Sequence, residues 1–102
     1  MQLIETHVFS KWLLNLKDVH AKAKIIMRIK RLSEGNHGDV NHIGSGLSEM
    51  RIHYGPGYRI YFKDTGKEII LLLCGGDKST QSDDIKKAIK LAKEYNDNNE
   101  NS

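Results

Sequence analysis

Leu47–Lys78 reads LSEMRIHYGPGYRIYFKDTGKEIILLLCGGDK, and its pattern lays out three strands of one sheet. Gly55-Pro56-Gly57, between Tyr54 and Tyr58, is a hairpin signal joining the first two strands. Successive strand side chains point to opposite faces. Met50, Ile52 and Tyr54 therefore share one face of the first strand, and Tyr58, Ile60 and Phe62 continue it on the second. The other face carries Glu49, Arg51 and His53, then Arg59, Tyr61 and Lys63. A three-residue loop with Tyr54 opposite Tyr58 sets His53 against Arg59, Arg51 against Tyr61 and Glu49 against Lys63. Two arginines, a histidine and a tyrosine together exceed what a merely solvated sheet face needs, so this is the expected functional surface. The third strand, Glu68–Cys74, is continuously apolar after its first residue, the pattern of a central strand covered on both faces. Gly75-Gly76-Asp77 closes it and sets Lys78 at the hairpin end of the sheet.

Working outward from this meander, Gln2–Glu5 reads as a short strand, and Thr6 or Ser10 can start a helix. Phe9, Trp12, Leu13 and Leu16 fall at one-face helical spacing. Asp18 is placed to cap a second helix over Val19–Ser33, with Ala21, Ile25, Ile29 and Leu32 inward, Ile26 at the edge, and Lys22, Lys24, Arg28, Lys30 and Arg31 outward. Gly35 stops it. Residues 34–46, EGNHGDVNHIGSG, read as a polar loop. After Asp77 the spacing predicts a last helix with Thr80 and Asp83 as a capping box and Ile85, Ala88, Ile89 and Ala92 as its apolar stripe. The fold class is α+β: an N-terminal strand, a helical hairpin packed on a mainly antiparallel sheet, and a C-terminal helix. The helices are expected on one face, leaving the other partly open and polar. Residues 1–95 form a single domain, and 96–102, with no apolar residue, are expected as a disordered tail.

Composition narrows the classes. The chain has 102 residues, 38% of them hydrophobic, enough for one modest core. It has no apolar run of about 20 residues, so no transmembrane helix is expected. The N-terminus lacks a signal-peptide pattern, and Cys74 has no cysteine partner, so a cytoplasmic protein is expected. Net charge is +3, but residues 1–63 hold ten Lys and Arg against five Asp and Glu, which suits an anionic partner. His7, His20, His37 and His42 are too scattered for a metal site, and no cofactor motif is present. Cys74 and Trp12 sit in apolar patterns and read as core.

GLSEMRIHYGPGYRIYF, followed by LLLCGGDKSTQSDDIKKA, closely resembles the RelE/ParE toxin superfamily, in particular its phage-derived HigB-like branch of addiction module killer proteins. The likeness runs from Phe9-Ser10-Lys11-Trp12 to the last helix. It implies a cytoplasmic toxin of a type II toxin–antitoxin module. The implied activity is a metal-independent endoribonuclease that cleaves mRNA on the ribosome, with no cofactor and no membrane partner. The implied partner is a cognate antitoxin with a helix-turn-helix domain. Carried onto this chain, Arg59 matches the strand arginine of the family, Arg51 a basic position in the preceding strand, and Lys78 a C-terminal basic residue. His53 and Glu49 are the candidates for proton transfer. This chain has no histidine after His53, and its final segment offers only Tyr95 as a tyrosine. Tyr61, Lys63, Lys22 and Arg28 are the expected RNA contacts. The resemblance leaves two alternatives: a ParE-like inhibitor that binds DNA gyrase without catalysis, and an inactive prophage remnant that acts with its antitoxin in autoregulation.

Overall fold

The computed structural model describes the backbone of residues 1–100 and the side chains of residues 1–96. The elements are β1 (Gln2–Glu5), α1 (His7–Leu14), α2 (Val19–Ser33), β2 (Val40–Gly44), β3 (Leu47–Ile52), β4 (Tyr58–Asp64), β5 (Ile69–Asp77), a 3₁₀ turn (Lys78–Thr80) and α3 (Gln81–Glu100). Five strands form one sheet in the order β1-β5-β4-β3-β2. Only β1–β5 is parallel; the other three pairings are antiparallel. The continuously apolar strand is thus internal, with Ile70–Cys74 buried.

The helical hairpin starts where its capping residues place it. The Thr6 hydroxyl accepts from Phe9 N at 3.0 Å and donates to Leu73 O, tying the start of α1 to β5. Asp18 Oδ1 accepts from His20 N and Ala21 N and opens α2. Gly35 takes the left-handed conformation (φ 88°) just past the α2 end. Phe9, Ile25, Ile29 and Leu32 then pack on Met50, Ile52, Ile60, Phe62, Ile70 and Leu72. Full burial of each such side chain is worth about 1.5–3 kcal/mol, so this layer dominates the core.

The second face differs from the expectation of an open polar side. Ala88 and Ala92 of α3 bury against Leu47, Tyr61, Leu71, Leu73 and Cys74. Two small residues on α3 let the helix lie close, so the architecture is three-layered: helical hairpin, sheet, helix. A bulge between Tyr61 and Phe62 pairs Tyr61 with Cys74 but Phe62 with Leu72. It leaves Leu73 as the extra residue, so that Leu73 and Cys74 both join the α3 side. The capping box is Asp77 with Thr80 on the 3₁₀ turn, and α3 begins at Gln81, not at a Thr80–Asp83 box. Ile89 is 41% exposed, while Ile85, Leu91 and Tyr95 pack against the α3-side core.

Two further corrections bear on the site. Residues 40–44, read as loop, form the edge strand β2, with Val40 opposite Met50 and His42 opposite Ser48. The hairpin closes on a five-residue loop, residues 53–57, because Gly55 and Gly57 both take positive φ. The register is therefore Ile52–Tyr58, Arg51–Arg59, Glu49–Tyr61 and Leu47–Lys63, not the one set by Tyr54 opposite Tyr58. The disordered tail expected over 96–102 lies largely outside the described side chains; α3 itself extends to Glu100.

Candidate functional site

The register brings Arg51 and Arg59 directly opposite one another on the α3 side of the sheet. Glu49, two residues before Arg51, shares that face. It is fully buried. An isolated buried carboxylate is costly, and this one is satisfied from three sides. Arg51 Nε donates to Oε1 at 3.0 Å, Gln81 Nε2 donates to Oε2 at 2.8 Å, and Arg59 Nε lies 3.7 Å from Oε2. Burial alone would raise the Glu49 pKa. The hydrogen bonds from Gln81 and Arg51 and the Arg59 charge outweigh it, so the carboxyl sits below the ordinary glutamate value.

Two guanidinium groups against one carboxylate leave an excess positive charge. The Arg59 side chain is 11% exposed, and its Nε and Nη1 have no hydrogen-bond acceptor among the described residues. Donors of this kind are uncommon in folded proteins, because burying them unpaired costs about 1–3 kcal/mol. Arg51, 36% exposed in its side chain, opens the site to solvent. Asp77, opposite Tyr58 at the end of β5, feels the Arg59 charge. Lys78 follows it; its Cβ lies where a side chain at Gly57 would meet it, which sets Lys78 beside the hairpin loop. Gly76, across from Arg59, must be glycine because Asp84 and Thr80 occupy the space a side chain there would need. The strand end, the 3₁₀ turn and the start of α3 thereby close around the two arginines.

The remaining predicted residues do not join the contacts among Arg51, Glu49 and Arg59. His53 lies in the hairpin loop, exposed, and its Nε2 pairs with Asp39. Arg51 N also donates to Asp39 O at 3.0 Å, so this imidazole–carboxylate pair is linked to the arginine strand through the backbone. The His53 contact is the first cause holding the Asp39 carboxyl below its ordinary value. Tyr61 is completely buried in the α3-side core and offers no face to a base. Burial, and then the Glu49 charge, push its hydroxyl well above the ordinary tyrosine value. Lys63 pairs with Leu47, toward the far end of β4. Lys22 Nζ donates to Leu14 O, capping α1, and Arg28 Nη1 donates to Arg51 O at 2.8 Å. Tyr95 packs in the α3-side core. Glu49 does not pair with Lys63; it pairs with the arginines. Sequence reading missed Gln81 and Asp39. The position of Gln81 at the start of α3, directly after GGDKST, was the available signal for it.

Two arginines paired across neighbouring strands around one buried glutamate thus give this small α+β domain a site with a surplus of positive charge. Residues 11–96 match the family described as "Phage derived protein Gp49-like (DUF891)". The chain is also 51% identical over 94 residues to a Haemophilus influenzae protein described as an uncharacterized protein, covering 92% of this chain and 95% of that one. The chain belongs to the Gp49-like phage-derived protein family. No helix among the described residues is long and apolar enough to cross a membrane.

Proposed function

We propose that this protein is the toxin of a toxin–antitoxin module, a HigB- and RelE-like endoribonuclease that cleaves mRNA on the ribosome. The observation that carries the reading is the Arg51–Arg59 pair, two cations sharing one carboxylate, with Arg59 donors left without an acceptor. Planar guanidinium forks match phosphate oxygens, and a nearly buried guanidinium stabilises charge far better than one in water. Gp49-like membership and the likeness of GLSEMRIHYGPGYRIYF to the toxin superfamily support the same direction.

In the proposed reaction the ribose 2′-oxygen attacks the adjacent phosphorus and the bond from phosphorus to the 5′-oxygen breaks. The products are a 2′,3′-cyclic phosphate and a free 5′-hydroxyl. Arg59 and Arg51 hold the phosphate oxygens as negative charge builds in the pentacoordinate state, and Lys78 approaches from the end of the sheet. The 2′-hydroxyl proton passes to His53, whose Nε2 is engaged by Asp39, leaving Nδ1 as acceptor. Glu49 has both oxygens occupied and is wholly buried, so its role is to position the two arginines. The leaving 5′-oxygen takes its proton from solvent or from Lys78. Partners in this reading are mRNA, the ribosome and a helix-turn-helix antitoxin, all in the cytoplasm.

The test is induction of the wild type and of Arg59→Ala in a host lacking the antitoxin. Growth arrest by the wild type, lost in a variant that remains folded by circular dichroism, is expected. A folded Arg59→Ala variant that arrests growth as well as the wild type would contradict the site assignment. Arrest with intact mRNA would point to a protein target such as gyrase.

A further inference from the structure

On the α2 side of the strand that carries Arg51, a groove of about 500 Å³ runs between α2 and the hairpin loop, with His53 at its border. Its lining includes Lys24, Met27, Arg28, Arg31, Ile52 and Tyr54. We propose that this groove docks an acidic segment of a partner polypeptide that carries an apolar anchor residue.

Three observations support that occupant. Lys24, Arg28 and Arg31 recur at helical spacing along one row of α2, and no Asp or Glu lines the groove. Neither Lys24 nor Arg31 makes an ion pair among the described residues; the nearby Asp39 is taken by His53. The groove therefore offers Lys24 and Arg31, without ion-pair partners among the described residues, to a chain that brings carboxylates.

Two of these cations are also held in place before anything binds. Arg28 is fixed by its bond to Arg51 O at 2.8 Å, and Lys24 Nζ sits 5.2 Å from the Tyr54 ring centroid. Such ordering lowers the entropy lost on binding.

The third observation decides between polypeptide and nucleic acid. Met27 is 50% exposed, and with Ala23 and Val19 (70% exposed) it forms an apolar row at four-residue spacing along α2. Ile52 lies below it as part of the lining. An apolar strip rimmed by cations fits an amphipathic acidic segment with an aliphatic or aromatic anchor. It suits a nucleic acid poorly, because a strand would need a free aromatic face for its bases and the Tyr54 ring is already covered by Lys24. The inference rests on the groove's own lining, although His53, the proposed proton acceptor, borders it.

The experiment selects displayed random short peptides on the full-length protein, then titrates the enriched peptides against the wild type and a Lys24→Glu/Arg31→Glu variant. Both positions are exposed, so the variant is expected to fold; its melting curve checks this. Enriched peptides are expected to carry several Asp or Glu around one large apolar residue, and to bind the variant about tenfold or more weakly. Failure to enrich acidic peptides overturns the proposal, as does equal binding to the variant. A single-stranded RNA oligonucleotide whose binding is weakened by the same double substitution, and which displaces the peptides, would overturn it in favour of a nucleic-acid surface.

Discussion

Glu49→Ala is expected to cost more stability than Arg59→Ala, although both remove one partner of the same ion pair. Glu49 is fully buried and takes Arg51 Nε at 3.0 Å and Gln81 Nε2 at 2.8 Å, with Arg59 Nε 3.7 Å away. Its removal strands the Arg59 guanidinium, which already lacks acceptors at Nε and Nη1. Breaking a buried pair in this way costs about 3–5 kcal/mol. Arg59→Ala leaves Glu49 with both of its good hydrogen bonds and removes two unpaired donors, so its cost is about 1–2 kcal/mol. A domain of this size is stable by about 5–15 kcal/mol. At about 4–8 °C per kcal/mol, the melting point falls by roughly 12–40 °C for Glu49→Ala and by roughly 4–16 °C for Arg59→Ala. Equilibrium urea unfolding at pH 7, followed by fluorescence of Trp12, reads the difference, since Trp12 is the only tryptophan and packs beside Phe9 and Tyr58. Equal losses, or a larger loss for Arg59→Ala, would refute the view that Glu49 anchors the two arginines.

Other consequences follow from the same geometry. Folded Glu49 binds a proton less readily than unfolded Glu49, so its contribution to stability is complete above the unfolded value of about 4.3 and disappears as pH falls through the lower folded value. Urea midpoints measured as pH is lowered should fall less steeply for Glu49→Gln than for the wild type; an unchanged acid slope would count against the assignment. Burial, with the Asp84 charge second, pushes the Cys74 thiol up to about 12. A thiol reagent at pH 8 should leave native Cys74 unmodified and label it at once in denaturant, whereas rapid native labelling would contradict its burial. Gly75→Ala drives a methyl into the Trp12 ring and should cost about 1–3 kcal/mol in the urea assay; a neutral substitution would show that Trp12 yields freely.

The helical hairpin and the central strand were legible in the sequence because their periodicities are uninterrupted. Phe9 and the Ala21-Ile25-Ile29-Leu32 row repeat at helical spacing, and Ile69–Cys74 is apolar throughout. Register was not legible. Pro56 and its flanking glycines signal a turn, but the number of residues in the loop depends on which of them take positive φ. With Gly55 and Gly57 both there, Arg51 moves from Tyr61 to Arg59 and His53 leaves the strand. Strand β2 was hidden because residues 40–46, VNHIGSG, carry two glycines and only two large apolar residues. The covered second face was missed because alternating Glu49, Arg51, Arg59 and Lys63 suit an open polar surface that bears a site. The sequence does not announce that Ala88 and Ala92 let α3 come close, or that Gln81 reaches back to Glu49.

The most direct measurement maps the ends of a reporter mRNA after brief induction of the wild type and, in parallel, of Arg59→Ala. New 5′-hydroxyl ends are expected inside the coding region, matched by 2′,3′-cyclic phosphate on the upstream fragments and absent with the variant. Intact reporter mRNA in cells whose growth the wild type has arrested would contradict the proposed cleavage.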